Sequence, residues 1–110
     1  MDLVNQKCVP CEGGTKPLTI EEAKPYLEAV GDWQPEDEGK KIEKEFTFLD
    51  FKQALDFVNK IGAIAEEEGH HPDIELSWGR VEVELSTHAI GGLSINDFIL
   101  AAKINKLLQL

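Results

Sequence analysis

The residues best suited to proton transfer lie close together in the sequence. All three histidines of the chain are found here: His70, His71 and His88. Two carboxylates, Glu66 and Asp97, flank them. An unperturbed imidazole has a pKa of ~6.5, so it can give and take protons at neutral pH. Elimination of water needs a base on one atom and an acid on the leaving hydroxyl, and two imidazoles can form that pair. We therefore predict an acid–base site built from these side chains.

Each of these residues also fits a structural role. A protonated His70 or His71 would be favoured at a helix end by the helix dipole, and His88 fits a surface position at the end of a strand. Asp97 stands three residues after Ser94, as in a helix cap. Three histidines can also hold a catalytic zinc ion. Against zinc, His70 and His71 are neighbours, and neighbours point to opposite faces of an extended chain.

Composition limits the class of protein. The chain has 110 residues and a formal net charge of −10, with 42% hydrophobic and 29% charged residues. These values predict one globular domain that buries its own core. No apolar run approaches the ~18 residues of a membrane span, and the start is unlike a signal peptide, so we expect a cytoplasmic protein. The acidic excess and scattered basic residues disfavour binding to nucleic acid.

The first half of the chain carries signals for one helix and two strands. A capping box that begins at Thr19 predicts a helix over 20–30. Strands are predicted over 33–38 and 40–48, with Gly39 at the turn between them. This part should therefore supply one half of an antiparallel sheet.

Two further helices surround a second hairpin. Asp50 caps a helix that ends at Gly69, and its apolar residues recur at spacings of three and four: Phe51, Leu55, Val58, Ile61 and Ala65. Ser94 caps the last helix, over 95–108, which is apolar nearly all round and so predicts a subunit interface. The element order predicts an α+β fold, a four-stranded antiparallel sheet with three helices packed on one face.

The hairpin between these helices determines which side chains face each other. Gly79-Arg80 fits a two-residue loop with glycine first, between strands of alternating apolar and polar residues. With that loop Leu76 faces Val83, and the register extended along the hairpin places His71 opposite His88. Opposed residues have Cβ atoms ~4.5–5.5 Å apart. The hairpin is thus predicted to bring a histidine from each end together.

The first 16 residues are expected to form a mobile N-terminal arm ahead of a domain over 17–110. The arm is rich in turn-forming residues and lacks periodicity. Cys8 and Cys11 form a lone Cys-x-x-Cys, which offers two of the four ligands that a structural zinc site needs. Two other roles of these cysteines stay open: a zinc site shared across a dimer, and a redox pair.

Taken together, the spacing of seven residues resembles the signature of the pterin-4a-carbinolamine dehydratase family. In this chain these residues are Glu66, His70, His71, Pro72, Trp78, His88 and Asp97. The segments Phe48–Phe51, Thr87–His88 and Gly92–Ser94 also look like that family, and the resemblance covers residues 16 to 108. One departure is Asn96, where some relatives carry an arginine.

The resemblance implies a fold and an activity. The family fold is a four-stranded antiparallel sheet with helices on one face, assembled as dimers or dimers of dimers. The activity is dehydration of 4a-hydroxytetrahydrobiopterin to quinonoid dihydropterin, which recycles tetrahydrobiopterin after aromatic amino-acid hydroxylases. No metal and no cofactor take part.

The resemblance also implies roles for the site residues. His70, His71 and His88 would be the catalytic set, in which His70 or His88 protonates the 4a-hydroxyl and His71 takes or orients the ring proton. The remaining signature residues would contact or support the substrate: Pro72 in the pocket wall, Asp97 on a histidine or a ring nitrogen, Glu66, and Trp78 chiefly in packing.

Two other functions stay open. Similar proteins include members that dimerise a transcription factor and dehydratase-like members that assist carboxysomal Rubisco assembly. A non-catalytic dimerisation or assembly factor would not need the three histidines, so their presence favours the enzyme. Action on another pterin, such as a molybdopterin-related compound, is the other alternative.

Overall fold

Three helices and four strands alternate in the order that the sequence predicts. The structure is a computed structural model that describes residues 1–10 and 14–108. The helices are α1 (Ile20–Val30), α2 (Phe51–Glu68) and α3 (Ile95–Lys106), and the strands are β1 (Gln34–Glu36), β2 (Lys41–Thr47), β3 (Asp73–Ser77) and β4 (Arg80–Leu85). The strands form one antiparallel sheet in the order β1-β2-β4-β3. The predicted α+β architecture is confirmed.

Local chemistry at the helix ends explains where the helices begin and end. The Thr19 hydroxyl accepts from the Glu22 N–H, and the Glu22 carboxylate accepts from the Thr19 N–H, which completes the predicted capping box. Asp50 caps α2 by accepting from the Gln53 N–H. Gly69 ends α2 with φ of 67°, a left-handed conformation that glycine adopts without a steric penalty.

The core lies between the inner face of the sheet and the helices, and α3 runs through its centre. Its Phe98, Leu100 and Ile104 are completely buried within the single chain. Tyr26 of α1 stacks on Phe98 with ring centroids 5.2 Å apart. The apolar residues at the centre of α3 are therefore accounted for by the core of this chain, and they do not require a subunit interface.

The apolar stripe predicted for α2 is partly wrong. Ile61 and Ala65 are buried, as predicted, whereas Phe51 and Leu55 are exposed. The buried side of the helix is completed by Ala54 and Phe57. The ring of Phe57 packs between two strand-side phenylalanines, Phe46 and Phe48, at centroid distances of 4.8 and 5.1 Å. Packing against the sheet thus rotates the helix away from the stripe that sequence spacing alone favoured.

The predicted register of the second hairpin is also wrong. Ser77 pairs with Arg80, so the loop is Trp78-Gly79, and Leu76 lies opposite Val81. Gly79 has φ of 68°, and a Cβ there would approach the Phe48 carbonyl oxygen to 3.0 Å, so the glycine is required at the second loop position. The register differs by two residues, which preserves the face of every side chain. The derived pairing of His71 with His88 fails with it.

Residues 1–10 are packed against the domain, contrary to the mobile arm that we expected. Leu3 is buried, and the Lys103 ammonium donates to the Val4 carbonyl oxygen at 2.8 Å. Cys11 lies outside the described residues. Within the described chain, no helix has the length and apolar character needed to cross a membrane.

Candidate active site

A cavity of about 450 Å³ opens where the end of α2, the end of β4 and the start of α3 meet. This is the size of a small-molecule site. Its lining includes three residues of the N-terminal segment and all three histidines: Cys8, Val9, Pro10, His70, His71 and His88. The structure thus brings all three histidines together around one space.

The local fold explains how each element delivers its histidine. Gly69 turns the chain sharply out of α2, so His70 and His71 follow directly on that turn. His88 begins a short 3-10 turn (His88–Ile90) just beyond β4. The histidines therefore approach the cavity from two different connections.

Asp97 is the buried polar centre of the site. It lies in the first turn of α3 and is completely buried. Its Oδ2 accepts from the Ser94 backbone N–H at 3.0 Å and from the Thr87 hydroxyl at 2.9 Å. The structural role predicted for Asp97, the helix cap with Ser94, is therefore present.

The other oxygen of Asp97 bonds to a histidine. Its Oδ1 lies 2.6 Å from Nε2 of His70, whose side chain is 12% exposed. A carboxylate only accepts hydrogen bonds, so Nε2 of His70 carries the hydrogen of this bond. The other ring nitrogen, Nδ1, is not engaged by this carboxylate. The carboxylate thereby fixes both the orientation and the tautomer of the imidazole.

Each of the other two histidines also has a carboxylate partner. Nε2 of His71 lies 2.6 Å from Oε2 of Glu66, and both side chains are largely exposed. Nε2 of His88 lies 3.9 Å from Oδ2 of Asp73, again with both side chains exposed. The three pairs differ in distance, in burial and in how many further hydrogen bonds hold the carboxylate.

Four of the predicted site residues do not line the cavity: Glu66, Pro72, Trp78 and Asp97. Pro72 links His71 to β3, beside the cavity. Trp78 is 72% exposed in the hairpin loop at the far end of β3, separated from the histidines by the whole strand, which spans roughly 16–17 Å. Glu66 reaches the site through its bond to His71.

Sequence reasoning missed several residues of the site. Thr87 is buried and bonds Asp97, Asp73 pairs with His88, and residues 8–10 form part of the cavity wall. The position of Asp73 directly after His71-Pro72 could have indicated a role. The packing of the N-terminal residues on α3 depends on contacts distant in sequence, so local sequence patterns do not predict it.

One set of potential metal ligands occurs among the described residues, away from the histidines. The carboxylates of Glu43, Glu82 and Glu84 lie within 4.8 Å of one another on the outer face of the sheet. Desolvation and the neighbouring Glu82 raise the pKa of Glu43. Such acidic groups are common on protein surfaces.

Comparison with known proteins identifies the family. Residues 16–107 match the family described as pterin 4 alpha carbinolamine dehydratase. A Methylococcus capsulatus protein, provisionally named a pterin-4-alpha-carbinolamine dehydratase, is 49% identical over 105 residues, which cover 96% of this chain and 92% of the relative. A Rickettsia canadensis protein with the same provisional name is 52% identical over 103 residues, which cover 93% of this chain and 94% of the relative.

Solved structures agree with this assignment. The transcriptional coactivator/pterin dehydratase of Brucella melitensis superposes with a TM-score of 0.79 at 34% identity, covering 84% of this chain and 98% of that one. A pterin dehydratase-like RuBisCO assembly factor of the alpha-carboxysome has a TM-score of 0.62 at 22% identity, covering 72% and 92%, and shows the shared fold alone. The family match and the relatives thus indicate a hydro-lyase. The chain belongs to the pterin 4 alpha carbinolamine dehydratase family.

Proposed function

We propose that this protein dehydrates 4a-hydroxytetrahydrobiopterin to quinonoid dihydropterin by acid–base catalysis with His70, His71 and His88. The observation that carries the proposal is the buried Asp97–His70 pair at the wall of the histidine cavity. Family membership supplies the substrate class. A protein that only assembled other chains would gain nothing from a buried carboxylate that orients an imidazole toward a small-molecule cavity.

The chemistry needs one proton removed and one delivered. A base takes a proton from the pterin ring, the carbon–oxygen bond at position 4a breaks, and an acid protonates the departing hydroxide, so the products are dihydropterin and one water. His70 or His88 is the acid, and His71 takes or orients the ring proton. The hydrogen bond from Nε2 of His70 to Asp97 holds the imidazole in one orientation, with Nδ1 as the nitrogen not engaged by that carboxylate. Asp97, Glu66 and Pro72 support this set, and no metal or cofactor is needed.

The proposal extends to partners and assembly. The substrate would come from an aromatic amino-acid hydroxylase, and the protein would recycle tetrahydrobiopterin in the cytoplasm. We expect it to bind neither nucleic acid nor a membrane. A homodimer or homotetramer is supported by exposed large apolar side chains near the loop end of the sheet: Leu49, Phe51, Leu55 and Trp78. Trp78, far from the cavity of its own chain, would then serve chiefly in packing.

The alternatives are a non-catalytic assembly role and another pterin. The two proteins of known structure are described as a transcriptional coactivator and as a RuBisCO assembly factor, which keeps the first alternative in view. A molybdopterin-related substrate would use the same imidazoles. The test below separates these outcomes.

The test is the rate of 4a-hydroxytetrahydropterin dehydration with and without the purified protein, in the presence of a chelator. We expect a large acceleration that the chelator leaves unchanged and that a His88→Ala variant reduces by ~10²-fold or more. A Lys60→Ala variant, altered on the exposed side of α2, should match the wild type. If the rate equals the spontaneous rate, this substrate is excluded and assembly or another pterin takes its place.

A further inference from the structure

The N-terminal segment precedes residues 16–107, is included in the match to the Methylococcus capsulatus relative, and reaches the histidine cavity. The family match begins at residue 16, yet Cys8, Val9 and Pro10 line the cavity beside His70 and His71. Neither the family assignment nor the acid–base chemistry gives this segment a role. The bonds that hold it indicate one.

Asn96 holds the N-terminal segment through hydrogen bonds to both backbone polar groups of Val9. Its Oδ1 accepts from the Val9 N–H at 3.0 Å, and its Nδ2 donates to the Val9 carbonyl oxygen. The Asn96 side chain lies in the first turn of α3 and its residue is almost completely buried. A buried amide that bonds both backbone groups of one residue fixes that residue in position as a neighbouring β-strand would.

Glu68 holds the neighbouring residue. Its Oε1 accepts from the Cys8 N–H at 2.8 Å, and its carboxylate, only 5% exposed, lies 3.9 Å from the Lys103 ammonium. An acid at the C-terminal end of a helix opposes the helix dipole, so Glu68 is unfavourable for α2 by itself. Its bonds to the N-terminal segment and to Lys103 offset that cost.

The held segment presents apolar side chains to the cavity and has no group suited to proton transfer. The N–H of Cys8 and both backbone groups of Val9 are already bonded, so Val9 and Pro10 offer mainly aliphatic surface. Burial and the nearby Glu68 raise the pKa of the Cys8 thiol to about 12, so the thiol stays protonated at neutral pH. Flat heterocycles pack well against aliphatic surface of this kind.

We propose that Val9 and Pro10, positioned by Asn96 and Glu68, form a substrate-contacting wall of the histidine cavity that determines which pterins are bound. This inference rests on the proposed function. The wall contacts the heterocycle equally in the ground state and the transition state. Loss of such uniform contact raises KM and leaves kcat nearly unchanged. Asn96 is a positioning residue, because it acts through Val9.

The test compares KM and kcat for two variants, with two pterins that differ in the substituent at position 6. For Val9→Ala we expect KM about threefold to tenfold higher and kcat within about twofold of wild type. For Asn96→Ala we expect a KM increase of about tenfold or more, again with little change in kcat, and a smaller preference between the two pterins. Val4→Ala, the same substitution in the same segment but outside this cavity, is the matched control.

The outcomes separate this inference from the proposed function. A wild-type protein without dehydratase activity would overturn the function. An active wild type whose Val9→Ala variant keeps the wild-type KM for both pterins would overturn the wall. If Asn96→Ala does not fold, Val9→Ala still decides, since the Val9 side chain is 60% exposed and its loss leaves both backbone bonds in place. A fall in kcat alone would also contradict the inference.

Discussion

Two histidine–carboxylate pairs of the site have the same length and different surroundings. Both His70–Asp97 and His71–Glu66 join Nε2 to a carboxylate oxygen at 2.6 Å. The first pair is buried, with Asp97 held by two further donors, whereas the second is open to water. Solvent weakens an exposed pair and leaves its side chains free to move. A buried, fully bonded network holds one geometry.

The two pairs show that a short distance between a carboxylate and an imidazole does not by itself mean that the carboxylate fixes the orientation of the imidazole. Asp97 has no freedom to leave His70 without breaking a helix cap and a buried hydrogen bond to Thr87. Among the residues that the structure describes, Glu66 has no second bonded partner that would fix it beside His71, and water can replace it at little cost. We therefore expect catalysis to depend strongly on the first pair and weakly on the second.

The largest expected effect is that of removing the buried imidazole. His70→Ala should lower kcat for dehydration by ~10²–10⁴-fold, the usual contribution of a general acid or base. His71→Ala, which removes the exposed member of the comparison, should have a smaller effect. Steady-state kinetics of both variants check this order, and an equal or larger loss in His71→Ala would reverse the comparison.

Changing the carboxylate that orients His70 should have the next largest effect. In Asp97→Asn the amide can still accept from Ser94 and Thr87, but its NH₂ group then faces Nε2 of His70 and selects the other tautomer. We expect kcat to fall ~10–100-fold, as for other partners that orient a functional imidazole. Stability should fall by about 1–3 kcal/mol, because a buried bond is disturbed.

The kinetics of Asp97→Asn and its urea unfolding curve separate these two effects. A variant with wild-type kcat at full folding would show that His70 does not need this orientation. If Asp97→Asn lowers the free energy of unfolding but leaves kcat unchanged, Asp97 acts only as part of the helix cap.

The buried side of the site also predicts a pH dependence of stability through Cys8. The folded thiol has its pKa raised to about 12, above the ordinary value of 9.0 for an unfolded thiol. Between these values the unfolded chain loses the proton and the folded chain keeps it. The stabilisation is complete below about pH 9 and is lost progressively as the pH rises toward about 12.

Denaturant unfolding near neutral pH and at about pH 10.5 measures this contribution. Stability of the wild type should fall more steeply over that interval than stability of Cys8→Ala. Titration of other groups is common to both proteins and cancels in the comparison. Parallel losses in the two proteins would contradict a protonated thiol.

The smallest effect is expected for the exposed carboxylate. Glu66→Gln keeps a side chain of the same size and removes only the charge beside His71, so kcat should stay within about threefold of wild type. The same assay measures it. A loss as large as that of Asp97→Asn would mean that the exposed pair orients its histidine as firmly as the buried one.

Much of the fold follows from local sequence chemistry. The caps at Thr19, Asp50 and Ser94 and the glycine at position 69 predict the helix ends because their bonds involve residues only two to four positions away. The alternating strands predict the correct inner faces even though the register was wrong, since a shift of two residues preserves the faces.

The parts that could not be predicted depend on distant contacts. The rotation of α2 that buries Phe57 follows from the strand-side phenylalanines it meets. The packing of residues 8–10 follows from Asn96 and Glu68. Among the candidate site residues, the histidines and Asp97 were selected by type and spacing, but which carboxylate orients which histidine depends on burial, which spacing does not reveal.

A double-mutant cycle on kcat, with His70→Ala, Asp97→Asn and the double variant, tests most directly whether Asp97 acts through His70. If Asp97 acts through His70, the double variant should be no slower than His70→Ala, because the carboxylate has no imidazole left to orient. If the two losses in kcat multiply instead, Asp97 acts on the reaction independently of His70, which would contradict the proposal that Asp97 acts by orienting this histidine.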